Sequence, residues 1–235
     1  MKHSGVLAFG GAAAQAVAVL YVLVGYTHFL LPRAQLRGAG GVTAAFFKSL
    51  SESSTVFSLH YWFVAVLSLL MVAVYLALIT LLRGHLDGLL CWAAVVGFIG
   101  AALAAVDFAY VGVEAPRLAT AFSNAGPASQ SLLAVSGMPH LDPCFLASGL
   151  MAIFSLAANA AALRHKLLPR ALGIIGVIGG VVLFLVFMGA LMRSPRLIDV
   201  AVGLGGLVIG PVYYFWVGFA LRRAGRSARA IENGM

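Results

Sequence analysis

The residues best suited to chemistry are the few ionisable side chains that interrupt apolar stretches. Asp107 stands near one end of an apolar stretch that runs from Gly88 to Glu114 and is long enough to cross a bilayer. An acid inside such a helix is costly unless it faces protein, a partner or water, so it marks a candidate functional site. On a helical wheel, Gly100, Asp107, Tyr110 and Glu114 share one face. We expect this face to point into the protein.

Two histidines are candidate partners of this acid. His28 lies near the end of the first apolar stretch and His60 near the start of the second, which places both at the same membrane face as Asp107. Imidazole and carboxylate groups together suit a divalent transition metal, a proton relay or polar anchoring of an amphiphile. The sequence therefore predicts a shallow outward-facing pocket. Its candidate ligand-binding residues are Asp107, Tyr110, Glu114, His28 and His60.

A structural interpretation competes with this pocket. The two histidines can be satisfied or solvated residues of the membrane interface, and this explanation fits His140 better still, because His140 lies in a loop. Asp107 can be a buried acid that accepts a hydrogen bond from Tyr110 or from an arginine such as Arg117. Both interpretations stay open on the sequence alone.

The motifs of common enzyme and cofactor classes are missing. The sequence contains no nucleophile elbow, phosphate loop, dinucleotide fingerprint or His-Glu-x-x-His. Cys91 and Cys144 begin consecutive antiparallel helices and so lie at opposite membrane faces, too far apart for a disulfide. No lysine inside an apolar stretch can hold retinal, and no deep histidine pair can ligate haem. We predict no metal and no cofactor, and we favour a non-enzymatic role.

The composition is that of a membrane protein. Apolar residues make up 62% of the 235 residues and charged residues 9%, unlike a soluble domain. Six apolar stretches provide the roughly 20 residues that a spanning helix requires. They cover residues 10–31, 56–82, 88–112, 143–163, 172–192 and 197–221. The predicted fold is all-α: one polytopic integral membrane domain over residues 1–235, a bundle of six transmembrane helices with two longer extracytoplasmic loops.

Small residues and prolines predict how the helices pack and end. The third helix is expected to stop before Pro116, and residues 117–124 and 130–135 are expected to form short surface helices. Small-xxx-small surfaces in the fifth and sixth helices predict that these two helices pack tightly together. Pro211 lacks an N–H and is expected to kink the sixth helix. Residues 222–235 then form a basic, frayed cytoplasmic tail. The predicted packing residues are Gly176, Gly180, Gly206, Gly210 and Pro211.

The basic residues predict an orientation. Of the 15 lysines and arginines, nine gather on one side when both termini and the two short breaks are placed there; these are Lys2, Arg83, Arg164, Lys166, Arg170, Arg222, Arg223, Arg226 and Arg229. The longer loops hold the others, which are Arg33, Arg37, Lys48, Arg117, Arg193 and Arg196. The positive-inside rule then makes both termini cytoplasmic. The net charge of +8 is therefore an orientation signal, and we expect no nucleic-acid partner.

The order of segments resembles a known family. A small-residue first helix precedes AAFFKSLSESSTVF, and after a second helix and a long outer loop come LPRALGIIGVIGGVVLF and VIGPVYYFWVGFALRR. The most specific piece is Leu168-Pro169-Arg170 before the glycine-rich fifth helix, with Arg222 and Arg223 closing the sixth. Over nearly its whole length the chain resembles an uncharacterised bacterial family of six-helix membrane proteins, a domain of unknown function. The resemblance implies six helices in a bacterial cytoplasmic membrane, and it implies no reaction or site residues.

Three functional hypotheses follow. In the first, the outward pocket binds a small amphiphilic or lipid-like molecule, and the protein can serve as a subunit of a membrane assembly or as a homo-oligomer. In the second, the protein is the substrate-binding membrane component of a transporter, which only helix number and size support. In the third, it is a membrane enzyme acting on an isoprenoid or lipid, with Asp107 or Glu114 as general acid.

Overall fold

The computed structural model describes residues 3–36, 43–137 and 140–233, and within these ranges the chain is helical with no strand. The α-helices are α1 (His3–Leu30), α2 (Ala44–Glu52), α3 (Thr55–Leu82), α4 (Gly88–Ser123), α5 (Pro127–Ser136), α6 (Leu146–Arg164), α7 (Arg170–Leu191), α8 (Pro195–Leu204) and α9 (Gly210–Asn233). Six segments are long and apolar enough to cross a membrane: α1, α3, α4, α6, α7, and α8 continuing into α9. The predicted all-α class and the six spanning helices are confirmed.

The spanning helices form a ring around a buried core. Along the ring α9 packs against α1, α1 against α3, α3 against α4, α4 against α6, and α6 against α7, while a smaller α7–α9 contact closes it. The core contains Tyr75 and Phe154, whose ring centroids lie 4.5 Å apart. Large apolar side chains such as Phe29 and Leu89 cover the outside of the ring. Such an apolar surface is suited to lipid contact and would promote association in water.

The two ends of the bundle differ. At one end, which we term the basic end, the His85 and His165 rings stack with centroids 3.8 Å apart, joining the turn after α3 to the turn after α6. The start of α1 and the last part of α9 meet there too, because a Cβ on Gly225 would lie 3.1 Å from the carbonyl oxygen of Ser4. The opposite end, the cap, carries α2, α5 and the last part of α4.

Aromatic packing holds the cap together. Phe47 stacks on Phe122 with ring centroids 5.2 Å apart, and Phe46 meets Phe57 edge-on at 5.8 Å. Phe46, Phe47 and Phe57 are all buried. Gln35 fastens the connecting segment, since its Nε2 donates to Ser49 Oγ and to a backbone carbonyl. The cap is thus a small second hydrophobic core on top of the membrane helices.

Helix α4 does not end where the sequence predicted. It continues through Pro116 to Ser123, so the predicted stop before Pro116 and the separate helix over 117–124 are wrong. Proline in a helix leaves the carbonyl four residues earlier without its N–H donor. Here that carbonyl belongs to Gly112, and the Ser58 hydroxyl of α3 donates to it at 3.0 Å. The hydroxyl replaces the missing donor, so the helix passes through the proline.

The last membrane segment also departs from expectation. It is one continuous span, as predicted, but α8 is followed by a π-helical turn over Gly205–Ile209, and α9 then runs on to Asn233, so the predicted frayed tail is wrong. The irregular turn precedes Pro211, at which a kink was predicted, and the Gly210 N–H bonds back to Gly205 O. Contact with α1 explains the ordered tail, because Gly225 packs on Leu7 and Ala8. The end of the predicted tail, residues 234–235, lies outside the described residues.

The glycine surfaces face other partners than predicted. A side chain at Gly176 would overlap Asn159, and a Cβ on Gly180 would lie 2.8 Å from Leu156, so both glycines face α6 and not the sixth membrane helix. Gly206 has open space around its Cβ position, and a Cβ on Gly210 would lie 2.9 Å from the Tyr21 ring of α1. The fifth and sixth membrane helices do pack together, but through other residues: a Cβ on Gly189 would lie 2.9 Å from Ile198, and a Cβ on Gly205 would lie 2.9 Å from Val182.

Candidate functional site

A buried pair of ionisable side chains joins helix α4 to the loop before α6. Asp107 and His140 lie with Oδ2 and Nδ1 3.0 Å apart. Since a carboxylate only accepts, His140 Nδ1–H is the donor. The other oxygen of Asp107, Oδ1, accepts from the backbone N–H groups of Leu141 at 2.6 Å and Asp142 at 3.1 Å. Both carboxylate oxygens of Asp107 are thereby occupied.

The position of Asp107 along α4 places this pair near a membrane surface. Asp107 follows Gly88, the first residue of α4, by 19 positions, which corresponds to roughly 29 Å at 1.5 Å per residue. The hydrocarbon core of a bilayer is about 30 Å thick. Measured along α4 from Gly88, the pair therefore lies about one hydrocarbon thickness away, and the rest of α4 extends into the cap.

The next acid, Asp142, shapes the start of α6. Its two carboxylate oxygens accept from the backbone N–H groups of Leu146 and Ala147, each at 2.8 Å. Phe145, between them, has a left-handed backbone with φ of 53°, an unusual conformation for a bulky residue. It packs beside the cluster of Val182 and Val186. Asp142 thus caps α6 and begins the helix at Leu146, three residues later than predicted.

His140 keeps one nitrogen for another partner. With Nδ1–H bound to Asp107, the neutral ring carries its lone pair on Nε2. The His140 side chain is only 6% exposed, and Nε2 is buried with no hydrogen-bond partner among the described residues. Buried polar atoms are almost always hydrogen-bonded, so an orphaned acceptor of this kind requires an explanation. In the neutral ring, Asp107 sets the tautomer and Nε2 is a hydrogen-bond acceptor of fixed position.

His28 and His60 meet as a second pair. Their ring centroids lie 6.0 Å apart, and the Thr27 hydroxyl forms a hydrogen bond with His60 Nδ1 at 2.9 Å. His28 is exposed, whereas His60 is half-buried. Across the described ranges, no group of three or more His, Cys, Asp or Glu side chains is arranged to hold a metal ion. This pair is consistent with interfacial histidines that hydrogen-bond locally.

Tyr110 and Glu114 do not join Asp107. Tyr110 is 40% exposed on the outside of α4, and Glu114 forms a 2.8 Å ion pair with Arg117 one turn along the same helix. Four residues of α4 were predicted to form a face that points inward, and two of them, Gly100 and Asp107, are buried. The predicted site residues therefore fall into separate sets, and no described hydrogen bond or ring contact connects the His28–His60 pair to Asp107.

Two surface cavities lie away from this pair. One, of about 530 Å³, opens at the basic end and is lined by Ala8, Phe219, Arg222, Gly225, Arg226 and Arg229. The other, of about 500 Å³, opens in the cap and is lined by Ala44, Ala45, Lys48, Ser51, Glu52, Phe122, Ser123 and Gln130. Asp107 lines neither cavity.

Sequence reasoning underrated His140. A loop histidine is ordinarily solvated, and its separation of 33 residues from Asp107 has no recognisable spacing. The available signal was the acid itself, because a buried carboxylate needs donors. The sequence offered Tyr110 and Arg117 on the same helix, but among the described residues the hydrogen-bond donors to Asp107 are His140, Leu141 and Asp142. The loop between α5 and α6 supplies these donors where it returns onto α4.

The comparison with protein families identifies the chain's relatives. A family model matches residues 15–221. The chain belongs to the family described as Domain of unknown function (DUF4386). Searches of curated proteins and of solved structures found no match.

The DUF4386 segment contains the whole Asp107–His140 pair and the His28–His60 pair. It ends at residue 221, before the cluster of arginines in the last part of α9. The candidate site thus belongs to the family segment, whereas the basic cavity includes residues beyond it.

Proposed function

We propose that the protein is a non-enzymatic membrane receptor for a small amphiphile, whose headgroup donates a hydrogen bond to His140 Nε2. The observation that carries this proposal is the buried Nε2 of His140, which has no hydrogen-bond partner among the described residues. Asp107 is a positioning residue, because its oxygens are occupied and its part is to hold the imidazole. The level of the pair along α4 suits a headgroup, with the acyl or isoprenoid part lying against the apolar helices.

The chemistry of the pair restricts the ligand class. An acceptor nitrogen selects a donor, so hydroxyl and ammonium headgroups fit and a headgroup with acceptors alone does not. Access requires a displacement of the loop that carries His140, since Nε2 is buried.

The orientation belongs to the same proposal. The described lysines and arginines are concentrated at the basic end, which holds Arg83, Arg164, Lys166, Arg170, Arg222, Arg223, Arg226 and Arg229. The positive-inside rule puts this end, with both termini, in the cytoplasm of a bacterial cell and the cap outside the cytoplasmic membrane. Lys2 and Arg37, which entered the sequence count, lie outside the described residues. A periplasmic reporter signal from a fusion after Met235 would contradict this orientation.

Lipid analysis of purified variants tests the binding site. Wild type, His140→Phe and Glu114→Gln are purified in mild detergent, and bound amphiphiles are identified by mass spectrometry. Glu114→Gln is the matched control, because Glu114 is on the same helix but pairs only with Arg117. We expect one headgroup class in wild type and control, reduced about tenfold in His140→Phe by loss of a buried hydrogen bond. The same bound species in equal amounts in all three proteins would contradict the proposal.

An Asp107→Asn variant then separates the two headgroup classes. The carbonyl oxygen of the introduced amide accepts from the Leu141 and Asp142 N–H groups, so its NH2 group faces His140 Nδ1. Nδ1 must then accept a hydrogen bond, and the neutral ring carries its proton on Nε2. An ammonium headgroup can only donate and should be lost. A hydroxyl headgroup can accept from Nε2–H and should be retained.

A second candidate function is proton transfer by an enzyme that acts on an isoprenoid or lipid. The observation that favours it is the hydrogen bond from His140 Nδ1–H to the Asp107 carboxylate. This bond places Nε2 on the side of the ring away from Asp107, as in acid-base catalytic pairs. His140, and neither Asp107 nor Glu114, would then touch the substrate. Accumulation of an unprocessed lipid in cells carrying His140→Phe, but not in cells carrying Glu114→Gln, would favour this candidate over simple binding.

A further inference from the structure

The cavity at the basic end combines an apolar base with an arginine rim. Phe219 is 50% exposed at one end of the cavity. Arg222, Arg226 and Arg229 follow at steps of four and three residues and so lie on one face of α9. The opposite wall is Ala8 of α1, and close packing of Gly225 on α1 forms the floor. Small residues where the helices meet leave room for a ligand beside the arginines.

The positive charge of this rim is not compensated within the described part of the chain. The described salt bridges are Arg117–Glu114 and His140–Asp107, both remote from α9. Arg222 lays its stem over α1, because a Cβ on Gly11 would lie 2.7 Å from its Cγ. Among the described residues these three arginines have no acidic partner, and a guanidinium pairs bidentately with phosphate, so the rim is suited to an anion.

The dimensions of the cavity match the boundary of a membrane leaflet. From Phe219 to Arg229 the helix rises roughly 15 Å, enough to reach from the upper acyl chains through the headgroup layer. The cavity of about 530 Å³ is within the range of small-ligand sites. An apolar base followed by arginines therefore has the order of groups found in an anionic phospholipid.

We propose that this arginine cavity binds one anionic phospholipid of the inner leaflet, with its phosphate on Arg222, Arg226 and Arg229 and an acyl chain against Phe219. The site is independent of the amphiphile site at His140. It lies at the other end of the bundle and mostly beyond the family segment. The bound lipid would fasten the end of α9 to α1 at the membrane surface.

Native mass spectrometry of the full chain in detergent tests this site. The added lipids are phosphatidylglycerol and phosphatidylcholine in separate titrations. The test variant carries Arg222→Gln, Arg226→Gln and Arg229→Gln, which removes the three charges and keeps the Cγ by which Arg222 packs on α1. The matched control removes three charges from the same end, with Arg83→Gln, Arg164→Gln and Arg170→Gln. A competition arm adds inorganic phosphate to the wild-type protein with phosphatidylglycerol bound.

We expect one retained phosphatidylglycerol on wild type and control, and at least about tenfold weaker retention on the test variant. Phosphatidylcholine should bind at least about tenfold more weakly than phosphatidylglycerol to wild type, because its headgroup has no net charge. Millimolar phosphate should leave the lipid bound. Equal retention by test variant and control, equal binding of both lipids, or full displacement by phosphate, which would indicate a free-anion site, would each overturn the proposal. Loss of lipid from His140→Phe with retention by the arginine variant would assign it to the other site.

Discussion

The Nδ1–H of His140 donates to Oδ2 of Asp107 across 3.0 Å, and this bond ties the loop before α6 to the membrane helix α4. Two backbone N–H groups of the same loop donate to the other oxygen of Asp107. One carboxylate therefore satisfies three donors that would otherwise be buried without a partner. Asp107 both shapes the loop and sets the tautomer of His140, so its structural and functional roles must be separated by the choice of substitution.

Replacing Asp107 distinguishes loss of the acceptor from loss of the charge. Asp107→Ala removes the acceptor of all three donors, and we expect unfolding in detergent to become easier by about 3–5 kcal/mol. Asp107→Asn keeps Oδ1 for the backbone donors and should cost about 1–2 kcal/mol. Glu114→Gln, whose ion pair with Arg117 lies at the surface, should stay within about 0.5 kcal/mol of wild type. Equal losses for Asp107→Ala and Glu114→Gln would contradict the assigned role.

A double-mutant cycle tests how α4 passes through Pro116. Ser58→Ala leaves Gly112 O without its donor and should cost about 1 kcal/mol of unfolding free energy. In a Pro116→Ala background, the new N–H of residue 116 bonds to Gly112 O, so Ser58→Ala should cost almost nothing. The measurement is chemical unfolding of the four proteins in one detergent. An additive cycle would show that the Ser58 hydroxyl does not replace the missing donor.

Two glycine substitutions test the packing of α6 on α7. At Gly176 a methyl group would overlap the Asn159 side chain, whose Oδ1 also accepts from the Tyr213 hydroxyl at 3.0 Å. Gly176→Ala should therefore lower the free energy of unfolding by about 1–3 kcal/mol through overpacking. Gly206→Ala places the same methyl group in open space and should change it by less than about 0.5 kcal/mol. Thermal unfolding of both variants makes the comparison, and the reverse ranking would refute the contact.

The histidine stack at the basic end should respond to pH. The pKa of His165 lies below its ordinary value of 6.5, because packing removes water from the ring and because His85 and Arg164 disfavour a second positive charge nearby. The folded state then binds fewer protons than the unfolded state. The contribution of His165 to the free energy of unfolding is therefore fully present above pH 6.5. It is lost as the pH falls through the lowered pKa of His165 in the folded state. An NMR titration should show His85→Ala raising the pKa of His165 towards 6.5, and an unchanged midpoint would count against the stack.

Contacts between residues far apart in the sequence determine the features of the fold that sequence periodicity did not predict. The apolar stretches predicted the number of spanning helices, because crossing hydrocarbon imposes a length and a composition that each stretch shows by itself. The end of α4 could not be predicted, since Pro116 is tolerated only through Ser58, a residue 54 positions before Gly112. The helical structure of the C-terminal segment could not be predicted either. Its basic composition gives no sign that Gly225 packs on α1.

The sequence alone determined that this chain is an all-α membrane protein, that Asp107 is an unusual acid within it, and which end of the bundle is basic. These are properties of single segments, and each is set by local composition. Only the tertiary structure decided that the partner of Asp107 is His140, that Tyr110 and Glu114 stand apart, and that Gly176 faces Asn159. Helical periodicity determines which residues share a face, whereas the partner of that face depends on how distant helices and loops return to it.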